Sequence, residues 1–227
     1  MERARLLNFT SDLISARVLD DPAEVPIVGA GIVVNVAPTR AFTSGSQRSI
    51  LPALSSTILR QGTVAGEKLI VLTIESPAVQ EAQLVHRGWT NFYDSQFGSP
   101  VLLKSPQDRL GTVELNCADI LGITDNAIGT SRFEVRANLW FSPAGTDCGI
   151  HNQHDFIEVH TQVLGRGRMQ KFMSENEDTL YEDQLLSPGN TNPTPFCIGV
   201  GGTFHYPWHQ YHADTDCVWL AVEYHRI

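Results

Sequence analysis

Two stretches of this chain decide its fold: Gly149-Ile-His151-Asn152-Gln-His154-Asp-Phe-Ile-Glu158-Val-His160-Thr-Gln-Val-Leu-Gly165 and Gly201-Gly-Thr-Phe-His205-Tyr-Pro207-Trp-His209-Gln-Tyr-His212-Ala-Asp-Thr-Asp216. Six of the eight histidines fall within them. On a β-strand, side chains alternate in direction, so Asn152, His154 and Glu158 would point to one face. A second wall that carries His209 or His212 would complete two histidines and one carboxylate. This ligand set is typical of a divalent metal site with open positions for a substrate.

The spacing of these residues resembles that of the cupins. Cupins are small jelly-roll barrels with two motifs, G-x5-H-x-H-x3-4-E-x6-G and G-x5-P-x-G-x2-H-x3-N. The residues that fit the two motifs are His154, Glu158 and Gly165 in the first stretch, and Gly201, Pro207 and His212 in the second. The resemblance covers the C-terminal part of the chain, and it implies that His154, Glu158 and His212 bind the metal.

Four positions depart from the cupin pattern. The opening glycine of the first motif is misplaced, and Asn152 stands where the first histidine belongs, with His151 beside it. In the second motif, His209 occupies a glycine position and Asp216 replaces the asparagine. We therefore keep His209 as the rival of His212 for the third ligand position, and otherwise expect it to lie beside the ligands.

Other polar and aromatic residues of the same region are candidates for contact with a substrate. We expect His160 or Tyr206 to move a proton. The candidates for substrate binding are Asn152, His151, Arg168, Gln170, Trp208 and Tyr211. Aromatic side chains beside the second motif suit a pocket with apolar walls and a few directed polar groups.

The resemblance implies an all-β fold of the cupin type, a double-stranded β-helix or jelly roll. Past residue 129, short strands separated by Gly, Pro and Asn turns agree with it. They are predicted at 132–142, 155–164, 168–173, 179–186, 195–200, 203–211 and 217–225. We divide the chain into residues 1–130, an N-terminal extension or a degenerate cupin half, and residues 131–227, the metal-binding cupin barrel.

The N-terminal part is predicted to contain a helix and a β-strand extension. Leu6, Phe9 and Leu13 recur at helical spacing, which predicts an amphipathic opening helix over residues 2–19. Strands are predicted at 25–37, 56–60 and 67–75, and a second helix at 112–121. The opening helix would pack on the barrel or on a second subunit, so a homodimer is an expectation.

Composition excludes several classes of partner. The formal net charge is −9 and lysines and arginines form no cluster, whereas nucleic acids and anionic membranes require a concentrated basic surface. A small molecule is therefore the expected partner. The N-terminus lacks the apolar core of a signal peptide, and the four cysteines form no CxxC pair, so we expect reduced thiols and a cytoplasmic protein.

These observations favour a metal-dependent enzyme. Neutral imidazoles and a carboxylate suit one divalent ion, Fe(II) by preference, with Zn, Mn, Ni or Co as alternatives. With Asn152 in place of a histidine, the remaining set resembles that of the cupin non-haem Fe(II) oxygenases and dioxygenases, which would oxidise a small polar molecule. The alternatives are a metal-assisted isomerase, epimerase or lyase, and a non-catalytic small-molecule-binding cupin.

Overall fold

The computed structural model describes residues 3–93, 99–121, 129–192 and 195–227. Its N-terminal part is one antiparallel sheet of seven strands. They are β1 (Arg3–Leu6), β2 (Ile14–Asp20), β3 (Val25–Asn35), β4 (Ala41–Ser44), β5 (Arg48–Leu51), β6 (Ser56–Ala65) and β7 (Lys68–Ile74). Their order in the sheet is β1-β2-β7-β3-β6-β4-β5. None of the helices in the described ranges is both long and apolar enough to span a membrane.

The predicted opening helix over residues 2–19 is wrong, because this segment forms β1 and β2. Ile14, Ala16 and Val18 are buried on one side of β2, which is the alternation of a strand with one buried face. The whole of β2 pairs with β7. Pairing with a strand that is distant in sequence therefore outweighs the helical spacing of Leu6, Phe9 and Leu13.

The second sheet combines strands from both sides of residue 130. Its strands are β8 (Thr90–Asn91), β9 (Leu103–Lys104), β10 (Asp108–Asn116), β11 (Thr130–Ser142), β13 (Ile157–Leu164) and β19 (Cys217–Arg226). Their order is β13-β19-β11-β9-β8, and β10 also pairs with β11. Among the described residues, two short segments are α-helical: α1 is Glu81–His86 and α2 is Cys117–Leu121. Only this second segment of the predicted helix 112–121 is helical. The division of the chain at residue 130 stays a prediction.

The third sheet faces the second. It consists of β12 (Thr146–Asp147), β14 (Gly167–Phe172), β15 (Leu180–Leu186) and β18 (Trp208–Ala213), in the order β12-β18-β14-β15. Between β11 and β15, and again from β18 to β19, the chain crosses from one of these sheets to the other. Two facing antiparallel sheets that share the chain in this way are a jelly roll, so the predicted all-β fold class is confirmed. A hairpin of β16 (Ile198–Val200) and β17 (Thr203–His205) stands beside them.

The second sheet is the middle layer of the molecule. One of its faces packs on the N-terminal sheet, where Leu139, Val159 and Leu220 join a core with Ile32 and Ile70. The other face turns towards the third sheet. Side chains alternate along a strand, so the residues next to these core residues, such as Glu158, His160 and Trp219, project into the space between the second and third sheets. The candidate site lies in this space.

Candidate metal centre

Three histidines from two separate segments meet at one end of the space between the sheets. They are His151, His154 and His209, and one nitrogen of each lies within 4.8 Å of the others. The Nε2 atom of His154 is 3.1 Å from Nε2 of His151 and 3.3 Å from Nε2 of His209. Three nitrogens that converge on one point could hold a metal ion.

Backbone carbonyls fix the direction of two of these rings. The Nδ1 atom of His151 is 2.9 Å from the carbonyl oxygen of Gly149, and Nδ1 of His209 is 2.8 Å from that of Pro207. A carbonyl oxygen only accepts hydrogen bonds, so each Nδ1 carries the proton. In the neutral ring, the Nε2 lone pair of His151 and of His209 is then directed at the shared point. This is the second hydrogen bond that metal-binding histidines commonly make.

The backbone brings the two histidines together. His151 and His209 donate backbone hydrogen bonds to each other's carbonyl oxygens, with lengths of 2.9 and 2.8 Å. The chain reaches His151 through Gly149, whose φ is +83°. A Cβ at Gly149 would lie 2.8 Å from the hydroxyl oxygen of Tyr93. Both the left-handed backbone and this close approach require glycine.

Glu158 supplies a buried carboxylate beside the three histidines. Its Oε2 is 4.0 Å from Nε2 of His154, and its Oε1 is 3.0 Å from Nε2 of His160. Burial acts to raise the pKa of Glu158, but the imidazoles of His160, His154 and His209 outweigh it and lower the pKa to about 2. The group is therefore an anion at neutral pH.

The two less exposed histidines of the cluster are held neutral by their surroundings. Burial, followed by the neighbouring imidazole of His151, lowers the pKa of His209 to about 3. Burial also lowers the pKa of His154, although the carboxylate of Glu158 acts in the opposite direction. Neutral imidazole is the form that binds metals. These two histidines are therefore ready to bind a cation without first losing protons.

A cavity of about 640 Å³ opens beside the cluster. This volume is in the usual range for a small-molecule site. Polar groups of its lining are His151, His154, Glu158, His160, His209, Lys104 and Glu223. Its apolar walls include Phe92, Leu102, Trp140, Phe156, Met169, Tyr211 and Trp219. The cavity thus combines apolar walls with a few polar groups at defined places.

The structure does not bring His212 to the centre, so the preference for His212 over His209 is wrong. The two residues are three positions apart on β18, and an odd separation on a strand puts their side chains on opposite faces. His209 is buried beside His154. The Nδ1 atom of His212 instead lies 2.8 Å from a carboxylate oxygen of Asp147, and Nε2 lies 3.7 Å from Asp214.

Arg168 and Gln170 also lie outside the cavity, contrary to their predicted role in substrate binding. They occupy the same face of β14, and Arg168 pairs with Asp183 and Asp214 at 2.7 and 2.8 Å. Gln170 accepts a hydrogen bond of 3.0 Å from Gln210. Their neighbour Met169 faces the cavity instead. The period of two along β14 explains the exchange.

The remaining predicted residues divide between the cavity and its surroundings. Tyr211 lines the cavity and donates a hydrogen bond to Gln162. Trp208, paired with Phe172, is absent from the lining. Asn152 lines a separate surface cleft, because residues 152–156 are not in a strand and the expected alternation does not apply to them.

Tyr206 does not line the cavity, and its hydroxyl group connects two backbone groups instead. Its hydroxyl donates a hydrogen bond of 3.0 Å to the carbonyl of Phe156 and accepts one of 2.8 Å from the backbone N–H of Glu158. The hydroxyl is thus engaged on both sides by backbone groups, which argues against the predicted catalytic role. His160, the other catalytic candidate, lines the cavity and is bonded to Glu158.

Sequence reasoning missed two groups of the cavity. Lys104 and Glu223 carry no motif, and they reach the cavity because β9, β11 and β19 are neighbours in the second sheet. The sequence predicted that His151 binds substrate, although this residue lies beside His154 and His209. The signal available in the sequence was its position directly next to the asparagine that replaces the first motif histidine.

No protein-family model and no curated protein matches this chain. Solved structures to which it is similar include the cupin 2 conserved barrel domain protein from Leptotrichia buccalis, with a TM-score of 0.31, 8% identity and coverage of 98% of this chain and 88% of that chain. Oxalate decarboxylase from Bacillus subtilis is similar with a TM-score of 0.32, 9% identity and coverage of 100% of this chain and 74% of that chain. For the DMSP lyase DddQ from Ruegeria pomeroyi DSS-3, the TM-score is 0.27 and the identity 18%, with coverage of 40% of this chain and 38% of that chain.

Proposed function

We propose that this protein is a metal-dependent enzyme that converts a small molecule bound in the cavity between its second and third sheets. The observation that carries the proposal is the convergence of three Nε2 atoms, from His151, His154 and His209, at one end of that cavity. Two of these atoms have their lone pairs directed at the shared point by backbone carbonyls. This arrangement is typical of metal ligands.

The distances fit a metal ion. Metal–imidazole bonds of about 2.0–2.1 Å place two ligand nitrogens of one ion roughly 3 Å apart. The two Nε2 separations involving His154 are 3.1 and 3.3 Å. Glu158, at 4.0 Å from His154, is the fourth ligand in our proposal, because its buried anionic carboxylate would offset part of the metal charge. The donor set suits divalent Fe, Mn, Ni, Co or Zn.

Our first candidate for the reaction is O2-dependent oxidation by Fe(II). The sequence argument for this reaction rested on the absence of a histidine at position 152. In our proposal that argument does not apply, because His151 supplies a third imidazole. The support comes instead from the donor set of three imidazoles and one carboxylate, which would hold a divalent ion with positions open for substrate and O2, and from the apolar cavity walls. When bound, Fe(II) would supply the one-electron chemistry that O2 activation requires.

The chain's own residues would orient the substrate and move protons. The apolar walls would exclude water from the bound substrate; they include Trp140, Trp219 and Phe156. His160 orients Glu158 through the 3.0 Å contact between its Nε2 and the carboxylate. Among the described residues, Nδ1 of the buried His160 has no hydrogen-bond partner. His160 is therefore the residue that we propose as the proton carrier.

The second candidate is a metal-assisted lyase, isomerase or epimerase. The observation that favours it is the same pair of His160 and Glu158, which places an acid–base group on the cavity wall beside the metal ligands. A divalent ion held by these ligands would supply Lewis-acid polarisation of a substrate oxygen, and His160 would accept or donate the proton. No redox change of the metal is needed.

Metal content tests the centre. Protein purified without chelator is expected to hold one equivalent of a divalent metal, measured by mass spectrometry. His154→Ala and His209→Ala should each lower the content far below one equivalent, because each removes a ligand from the centre. His212→Ala is the matched control and should retain the full equivalent. Full retention by His154→Ala and His209→Ala would refute the centre, and metal-free wild-type protein would favour a non-catalytic binding protein.

Nitric oxide tests for an open position at the metal before a substrate is known, and turnover then distinguishes the two candidate reactions. Added without air to the Fe(II) form, it mimics O2 and should give the high-spin nitrosyl signal in EPR if a position is open beside the ligands. Small molecules found to bind can then be assayed for turnover. Turnover that needs O2 and Fe(II) supports the oxygenase, whereas turnover by the Zn(II) form without air supports the lyase or isomerase.

A further inference from the structure

The cavity contains a second polar group, away from the histidines. Lys104 of β9 and Glu223 of β19 both line it. The ammonium of Lys104 is 3.9 Å from Oε1 of Glu223 and 4.9 Å from the ring centre of Trp140. Nothing in the metal centre uses these two charges. We propose that Lys104 binds the negatively charged group of the substrate, a carboxylate on a small apolar or aromatic body; this rests on the proposed function.

The hydrogen bonds of the pair leave Lys104 free to bind an anion. The Oε2 atom of Glu223 accepts hydrogen bonds from Gln107 at 3.0 Å and from His225 at 2.8 Å. Glu223 is buried, and these donors stabilise its charge without Lys104. In the described part of the chain, the ammonium of Lys104 donates no hydrogen bond, and its distance to Glu223 is longer than a hydrogen bond. A carboxylate could therefore receive its protons.

The charges of the cavity also call for an anion. With neutral imidazoles, its charged side chains are Lys104, Glu158 and Glu223, which sum to −1. A divalent ion at the histidines changes the sum to +1, and any protonated histidine makes it more positive. An uncompensated charge in a closed cavity is costly. A substrate with one negative charge leaves the filled cavity neutral.

The register of the sheet limits the size of the substrate. Glu158 and Glu223 are direct partners on β13 and β19, so their Cβ atoms are about 5 Å apart. The ammonium of Lys104 is a further 3.9 Å from Oε1 of Glu223, so it lies within about two strand spacings of the carboxylate next to the metal ligands. A molecule that joins the two places spans only a few bonds. The aromatic rings of Trp140 and Trp219 would contact its body.

The test compares an anion with its neutral analogue. Benzoate and benzamide have similar shapes, and calorimetry measures their binding to wild-type protein, Lys104→Met, Lys104→Arg and Lys171→Met. Lys171, paired with Glu182 and absent from the cavity lining, is the matched control. We expect the Kd of benzoate to rise about tenfold in Lys104→Met and the Kd of benzamide to change less than about twofold. Lys104→Arg should restore most of the affinity, and Lys171→Met should bind like the wild type.

Each result decides the inference separately from the metal centre. Equal benzoate affinity in Lys104→Met and wild type would refute the inference, as would failure of the wild type to bind benzoate, cinnamate and hexanoate. Lys104→Met should keep one equivalent of metal, because it removes no ligand. The comparison is repeated on chelator-treated protein, where the benzoate affinity should fall because the cavity charge returns to −1, while the ratio of Kd between Lys104→Met and wild type should remain. Loss of the proposed metal centre alone would then leave the result for Lys104 standing.

Discussion

Acidification should destabilise the metal-free protein through His209 in particular. Burial lowers the pKa of His209 to about 3 from its ordinary value of 6.5. Between these two values the unfolded chain binds a proton that the folded protein does not bind. The free energy of unfolding therefore falls as the pH falls below about 6.5. The pKa of Glu158 is lowered to about 2, so its contribution to the free energy of unfolding is lost only as the pH falls below about 4.5. It changes little between about pH 5 and about pH 7.5.

The magnitude follows from the two pKa values. At about pH 5 the unfolded imidazole is almost fully protonated and the folded one is not, so His209 costs about 2 kcal/mol relative to about pH 7.5. Urea unfolding of chelator-treated protein at the two pH values measures the change. His209→Gln removes this contribution, so the variant should lose about 2 kcal/mol less than the wild type over the same interval.

His212→Gln provides the control, because His212 is on the opposite face of β18 beside Asp147 and Asp214. This variant should lack the large reduction in pH dependence expected for His209→Gln. A wild-type pH dependence in His209→Gln would refute the burial of a neutral imidazole at position 209. If only His212→Gln strongly reduced the pH dependence of the free energy of unfolding, His212 would be the buried histidine, as the alignment favoured by the sequence requires.

Three other changes test how the surrounding chain holds the centre. Tyr206→Phe should lower the free energy of unfolding by about 1–3 kcal/mol in urea, because it leaves the carbonyl of Phe156 and the N–H of Glu158 without their shared partner; an unchanged midpoint would contradict this. Gly149→Ala should cost about 1–2 kcal/mol and weaken Zn(II) binding in calorimetry, because of its positive φ and the contact with Tyr93. EDTA should lower the thermal midpoint of the metal-loaded protein, and added Zn(II) or Mn(II) should restore it, since only the folded chain brings the ligands together; insensitivity to both would count against a metal site.

The sequence by itself determined the all-β class of the C-terminal half and the region of the site. Strands at 130–142, 157–164 and 217–226 agree closely with their predicted ranges, because alternating apolar residues between turn residues are a local signal. Within β13, Glu158 and His160 are two positions apart and both line the cavity, as the alternation of a strand requires. A local period suffices wherever a residue is inside a regular strand.

Only the tertiary structure decided which histidines form the cluster. His151 precedes the start of β13 and makes only an isolated bridge to His209 outside any regular strand, so no period could predict its direction. The motif spacing favours His212 over His209, and only the pairing of β18 with β14 decided that His209 faces inwards. The opening segment shows the same limit, because its pairing with β7 overrides a helical spacing. Lys104 and Glu223 are 119 positions apart and adjacent in space only because β9, β11 and β19 are neighbours. Contacts of this kind depend on the free energy of the whole sheet, which no local stretch of sequence contains.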